Sequence, residues 1–401
     1  MTDHISPRRF GALSRRNALK LGAGALALTA SSSRLWAQGE PIRIGLSAAF
    51  SGPNAQAGQA LQRGADLAID EINAAGGVLG RKLELVTRDN EHKLDRGVAQ
   101  ARELVEREKC VSIIGSQGSF IGVAVIDTMD ELQVPWFGTS VGGVGIIENG
   151  RKPNYMFRVA TNDRDVARFL VNYGLDKVGS KQFGILVEDT GWGVPAIEDL
   201  KAALKARGLE AVSIDKVKVG DADFTPQILR ASKAGADTIA TFTNTVEMAN
   251  SLKAANKIGY KPKVIGAWGL AGANFPSLAG ALGDGVMVMQ TFTFVGNEKP
   301  KAKALLQRLM QKNPDIKDVA EIPFPSYIGN TYDTVHMIAL SIQKSGGTEG
   351  PKMLGALESL GTYDGLIKAY DNPFSATDHE ALSPEDYAMT VWKGPRLELM
   401  T

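Results

Sequence analysis

Ser140 lies in Gly138-Thr139-Ser140-Val141-Gly142, a G-x-S-x-G sequence placed after a β-type run, as in the nucleophile elbow of a hydrolase. An elbow must run directly into a helix whose N-terminus stabilises the oxyanion. Here the chain continues Gly143-Val144-Gly145 toward Pro153, too rich in glycine for that helix. A partner histidine must come late in the chain, and there His336 falls in a helical pattern and His379 in a polar loop. The motif reads better as a flexible loop that offers backbone amides to a ligand. Gly22-Ala23-Gly24-Ala25-Leu26-Ala27 spells the dinucleotide fingerprint G-x-G-x-x-A, but lacks the preceding strand, the following helix and the acid about twenty residues on. Four scattered histidines and one cysteine do not make a zinc site. Asp221 and Asp223 lack the glycine and terminal glutamate of a calcium loop and read as a solvated turn. No G-x-x-x-x-G-K-[ST] occurs. The sequence implies no catalytic residue, no metal and no cofactor, which leaves reversible binding.

The 401 residues suggest two or three domains, and 44% hydrophobic with 22% charged residues is ordinary globular composition. With Cys110 alone, no internal disulfide can form. The net charge of +1 is unevenly placed: residues 1–37 hold six basic residues and one acid, leaving 39 basic against 43 acidic residues in the remainder. A mildly acidic body with no basic block argues against nucleic acid as a partner. Ser14-Arg15-Arg16-Asn17-Ala18-Leu19-Lys20 resembles the twin-arginine export signal S-R-R-x-F-L-K, with Ala18 where phenylalanine is preferred. An apolar run over Leu21–Ala30 and small residues up to Ala37 complete a cleavable signal peptide over 1–37. The run is too short for a bilayer core of about 30 Å, which needs roughly 20 residues.

From residue 42 onward β-type runs and helical patterns alternate. Strands are expected at 42–47, 83–87, 111–114 and 134–137, then at 183–187, 238–242, 264–266 and 286–289. Helical spacing falls over 61–72, 98–105, 121–132, 193–206, 224–234 and 245–258. This is the α/β pattern of parallel sheets covered on both faces, and its length favours two doubly wound, Rossmann-like lobes with a break near Arg158–Asn162. Ligands of such sheets bind at the carboxyl ends of strands. The loops expected there are 47–57, 115–119, 138–145, 188–193, 243–245 and 266–272, rich in Gly, Ser, Thr, Asn and aromatic residues. Ser119, before a helix at Phe120, reads as an N-cap whose hydroxyl and neighbouring backbone N–H groups hold a carboxylate.

Ile44-Gly45-Leu46-Ser47 with Ser51-Gly52-Pro53, the stretch from Gly64-Ala65 through Ile72-Asn73-Ala74-Ala75-Gly76-Gly77-Val78-Leu79-Gly80, Val134-Pro135, Tyr155-Met156-Phe157-Arg158 and Tyr332-Asp333 span nearly the whole mature chain. Together they resemble the leucine/isoleucine/valine-binding (type I) periplasmic proteins of ABC transporters. The resemblance implies a clamshell of two lobes joined by three crossings: 38–158 with about 292–378, and 159–291 with about 379–401. It also implies a small-molecule ligand between the lobes and a membrane permease as partner. A ligand-sensing receptor subunit would use the same clamshell.

Carried over residue by residue, Ser119 falls where the family's serine holds the ligand carboxylate. Ser140 and Gly142 fall on the next loop, where members use backbone groups and a threonine hydroxyl that Gly142 lacks. Trp192 takes an aromatic position that covers the ligand, Asn244 stands where an aromatic residue is common, and Tyr327 matches a tyrosine beside the cleft. Trp268 stands where amino-acid binders often place a carboxylate for the ligand ammonium. Burying an ammonium without a counter-charge costs several kcal/mol, and cation–π contact returns about 0.5–2 kcal/mol. A carboxylate with an apolar or aromatic body and no amine fits these residues at least as well as a branched-chain amino acid. Glu188, Asp189 and Glu247 are candidate substitutes for the missing acid, and each tryptophan also fits simple packing. If 14–20 is a twin-arginine signal, replacing Arg15 and Arg16 by lysine will trap the precursor in the cytoplasm. Cell fractionation checks this, and normal periplasmic accumulation of the double variant contradicts it.

Overall fold

Short runs of branched and aromatic residues, buried on both faces except in the edge strand Leu83–Asp89, where only Leu83 is buried, build the first sheet. Its strands are β1 (Ile42–Ala48), β2 (Leu83–Asp89), β3 (Ser112–Gly115), β4 (Trp136–Gly138) and β5 (Met156–Arg158), all parallel in the order β2-β1-β3-β4-β5. The helices between them are α1 (Ala55–Ala74), α2 (Leu94–Glu106), α3 (Ser119–Ala124) and α4 (Ile126–Leu132). In β1 every residue but Arg43 is buried, as a strand covered by helices on both sides requires. The single helix expected over 121–132 is two, because ψ of −6° at Val125 takes the backbone out of the helical range.

The computed structural model describes residues 1–2, 39–115, 118–314 and 316–400. The twin-arginine sequence, the apolar run behind it, the G-x-G-x-x-A match and the cleavage position after Ala37 lie outside the described residues, as do Ser116 and Gln117.

After β5 come α5 (Asp163–Tyr173), β6 (Phe183–Glu188), α6 (Gly193–Ala206), β7 (Ser213–Val217), α7 (Thr225–Lys233), β8 (Thr238–Phe242), α8 (Thr245–Lys257), β9 (Lys263–Gly266), α9 (Phe275–Ala279) and β10 (Met287–Gln290). Then follow α10 (Pro300–Lys312), α11 (Pro325–Ser345), α12 (Gly350–Leu357), a hairpin of β11 (Thr362–Asp364) and β12 (Ala369–Asp371), and finally β13 (Ala388–Lys393) and β14 (Arg396–Leu399). The second sheet runs β14-β13-β10-β9-β8-β6-β7, parallel from β7 to β10 and closed by the antiparallel β13 and β14. The chain therefore leaves the first sheet after Arg158, leaves the second after Gln290, and rejoins it at Ala388.

The middle return packs on the first sheet's helices. A Cβ at Gly64 of α1 would lie 2.4 Å from the Ile328 carbonyl oxygen, so α1 and α11 cross with their backbones almost touching. Arg308 pairs with Glu71, which also accepts a 2.8 Å hydrogen bond from the Tyr332 hydroxyl. The hairpin is held on α11 by Asp333, which has no exposed surface and accepts from the backbone of Leu366 and Ile367 and from the Tyr363 and Tyr370 hydroxyls.

Where the chain passes between the sheets, Arg158 is fully buried. Its Nε donates to Glu380 Oε2 at 2.6 Å, its Nη2 to the other oxygen of the same carboxylate, and its Nη1 to the Gly143 carbonyl at 2.9 Å. Glu380 belongs to the last crossing, which also bonds Arg158 through its backbone, His379 O accepting from Arg158 N and Arg158 O from Ala381 N.

Candidate functional site

Loops at the carboxyl ends of both sheets meet around a narrow cavity of about 30 Å³. The first sheet's side contributes Asn54 and Ala57 after β1, His92 after β2, Gly118 and Phe120 after β3, and Ser140 after β4. The second contributes Glu188, Thr190 and Trp192 after β6, Asn244 after β8 and Trp268 after β9, while Phe324 and Tyr327 arrive at the start of α11. This is the position that strand polarity predicts for an open parallel sheet. A volume near that of one water molecule means the loops are drawn together: a Cβ at Gly191 would lie 3.0 Å from Phe120 Cβ.

Of the seven residues singled out from sequence, Ser140, Trp192, Asn244, Trp268 and Tyr327 line this cavity. Ser119 and Gly142 are not among its lining residues. Ser119 was expected as an N-cap, but Gly118 holds that place and Ser119 is the first helical residue. Its buried hydroxyl accepts a 3.1 Å hydrogen bond from the Gly143 N–H and so joins the loops after β3 and β4. Gly142 has no room for a side chain, since a Cβ there would lie 2.0 Å from Asp163 Oδ1. The hydrolase geometry is also missing: after Gly142 comes a short 3-10 turn at Val144–Ile146. Neither His336 nor His379 lines the cavity.

The aromatic residues are fixed by their neighbours. Tyr327 stacks on Phe324 with centroids 4.9 Å apart and meets Trp268 edge to face at 5.3 Å. Trp192 tilts against Phe242, and its Nε1–H donates to Asp163 Oδ1 at 3.4 Å. The turn that carries it is tied by Thr190 Oγ1, which accepts from the N–H groups of Trp192 and Gly193. The chain then passes so close to the Glu188 carbonyl oxygen that a Cβ at Gly193 would lie 2.3 Å from it.

Two carboxyl groups give the site its electrostatics. Glu188 is 3% exposed, and its Oε1 accepts from both the backbone N–H and the side-chain amide of Asn244, at 2.7 and 2.8 Å. Burial, reinforced by the facing Glu247 carboxyl, pushes its pKa up to about 8. Asp163, behind Trp192, is pushed up to about 7 by burial, against the pull of Arg158. Burial also lowers the pKa of His92. At neutral pH the cavity therefore presents aromatic rings and uncharged polar groups.

Sequence reasoning named Glu188 only as one of three substitutes, and did not single out His92, Phe120, Thr190 or Phe324. His92 had an available signal, because the loop after β2 also lies at a carboxyl strand end. It is poor in the Gly and Ser residues that marked the others. Phe324 had none, because it is brought in by α11 from far along the chain.

A family model described as periplasmic binding protein matches residues 41–394. The Leu/Ile/Val-binding protein homolog 3 of Brucella melitensis is 26% identical over 308 residues, 77% of this chain and 80% of that protein. A branched-chain amino acid transporter substrate binding protein of Streptococcus pneumoniae, solved in complex with isoleucine, has a TM-score of 0.78 at 22% identity, over 90% of this chain and 99% of that one. A solute binding protein of an ABC transporter from R. palustris, solved in complex with 4-hydroxybenzoate, has a TM-score of 0.75 at 21% identity, over 90% and 95%. At these identities the two solved structures establish the shared fold.

The Glu188 environment sets a pH dependence. An acid whose pKa is higher folded than unfolded holds its proton more tightly in the folded state. The stability it contributes is full below about 4.5 and is lost as pH rises through about 8. Chemical denaturation of the wild type against Glu188→Gln will show the variant losing less stability between pH 5 and 8. The difference will grow by up to about 1.4 kcal/mol per pH unit. Parallel profiles would contradict the assignment.

Proposed function

As the chain belongs to the periplasmic binding protein family, we propose that it is the exported solute-binding component of an ABC importer, holding a small carboxylate-bearing ligand and passing it unchanged to a membrane permease. The cavity carries this reading. Loops from both sheets bring five aromatic rings and uncharged polar groups together, and among the described residues no lysine or arginine lines it. Ser119, Ser140 and the backbone near Gly142 hold the carboxylate from the first lobe. Accepting a hydrogen bond from Gly143 leaves the Ser119 hydroxyl its own proton to donate. Trp192, Trp268 and Tyr327 cover an apolar or aromatic body, with Asn244 braced on Glu188.

Residues 38–158 with about 292–378 form one lobe in this reading, and 159–291 with about 379–401 the other. The strands and helices each segment supplies to its sheet support that division. Residues 1–37 act as the twin-arginine leader that brings the folded protein to the periplasm, supported by Arg15-Arg16 and the apolar run behind them. The isoleucine and 4-hydroxybenzoate of the two solved neighbours bracket the ligand chemistry.

A thermal-shift screen of the exported protein against amino acids, their amides and aromatic acids tests the reading. Carboxylates with apolar bodies will raise the melting temperature and their amides will not. A screen in which no carboxylate does so would sink it. Trp268→Glu places an unpaired carboxylate in the cavity, so calorimetry will show 4-hydroxybenzoate weakened by at least about tenfold and L-leucine weakened less or improved. Equal effects on the two would show that position 268 does not read the ligand's charge.

A further inference from the structure

His92 lines the cavity from the loop after β2, beside Gly118 and Phe120. Its ring meets Phe120 edge to face with centroids 5.1 Å apart, and a Cβ at Gly118 would lie 3.2 Å from its Cε1. It is therefore a neighbour of the α3 terminus where Ser119 sits.

Two features set His92 apart. Its backbone is left-handed, with φ of 57°, a conformation uncommon for any residue but glycine. Consecutive side-chain-to-backbone bonds hold it there: Asp89 Oδ1 accepts from Glu91 N and Asn90 Oδ1 from His92 N, both at 2.9 Å. Asn90 is fully buried and anchored on Ser47 Oγ. The second feature is the ring itself. Nδ1 is buried and has no hydrogen-bond partner among the described residues. Leaving a buried polar nitrogen unpaired is destabilising, and here a conformation favoured by few residues turns that nitrogen's ring toward the cleft. Burial holds the imidazole neutral at pH 7. The flanking Glu91, Lys93 and Arg96 pair with one another on the surface. Nδ1 thus has no partner among the described residues, and the cavity that His92 lines is the place from which one could come.

We propose that His92 is a ligand-binding residue of the cleft, its Nδ1–H donating a hydrogen bond to the ligand carboxylate beside Ser119. This rests on the reading above that the ligand bears a carboxylate. Asparagine is the conservative replacement, since its amide nitrogen occupies nearly the place of Nδ1 and it tolerates a left-handed backbone. Phenylalanine keeps the ring and removes the donor.

Calorimetry of the exported protein, His92→Phe and His92→Asn, with L-leucine, 4-hydroxybenzoate and the amide of each, tests the proposal. For the acid that binds the wild type, His92→Phe will weaken affinity by at least about tenfold, and His92→Asn will stay within about threefold of the wild type. The unliganded His92→Phe protein will melt at or above the wild-type temperature, because an unpaired buried nitrogen has been removed. Unchanged acid affinity in His92→Phe would overturn this proposal and leave the carboxylate reading standing. Equal weakening in both variants, with a lower melting temperature, would make His92 a packing residue and overturn it too. If neither acid binds the wild type, the carboxylate reading fails and this proposal falls with it.

Discussion

A guanidinium with no exposed surface must be satisfied entirely by protein, and the way Arg158 is satisfied ties the crossings to the cleft. Its partner Glu380 belongs to the last crossing, and its third contact is the Gly143 carbonyl of the loop after β4. Gly143 in turn donates to Ser119. Asn162, one turn along the first crossing, donates its side-chain amide to Glu380 and its backbone N–H to the Tyr387 hydroxyl. Truncating one partner of such a pair leaves a buried charge uncompensated, at a cost of about 3–5 kcal/mol. The loops around the cavity are thus set by the same bonds that set the path between sheets.

Beyond that ion pair the cleft avoids charge. Asp163 takes the space a side chain at position 142 would need and anchors Trp192 from behind. Glu188 orients Asn244. Burial favours the neutral form of both acids, and the Tyr327 phenol is raised for the same reason. A carboxylate entering such a site meets neutral donors and the faces of aromatic rings. An ammonium would have to draw the proton from Glu188 to find a counter-ion, because position 268 holds tryptophan. In the proposed reading, the selectivity of the site turns on how readily that one group ionises.

Eight of the ten parallel strands were legible in the sequence because a strand buried on both faces is a continuous run of branched residues, and 238–242 was expected within its observed bounds. β5 is only three residues long and β7, at a sheet edge, alternates exposed and buried residues, and neither was expected. The alternation of strands and helices implied two sheets. What stayed hidden depends on contacts between distant segments. The antiparallel β13 and β14 lie at the sheet edge, where β14 alternates buried and exposed residues weakly. The hairpin on α11 exists because Asp333 accepts four hydrogen bonds from it. At the site, five of seven residues named from the sequence line the cavity. Ser119 and Gly142 do not line it: the Ser119 hydroxyl accepts a hydrogen bond from Gly143, and Asp163 fills the space a side chain at position 142 would need. His92 escaped because its loop is built by Asx-type bonds of Asp89 and Asn90 rather than by glycine.

A cavity of about 30 Å³ is far smaller than the few hundred Å³ that enclose a small-molecule ligand. In the proposed reading the lobes part for entry and draw together afterwards, the ligand favouring the closed arrangement by touching both. Small-angle scattering of the exported protein, with and without a ligand at calorimetrically verified saturation, measures this directly. The account predicts a smaller radius of gyration in the bound state; an unchanged profile at saturation would place the ligand elsewhere and contradict it.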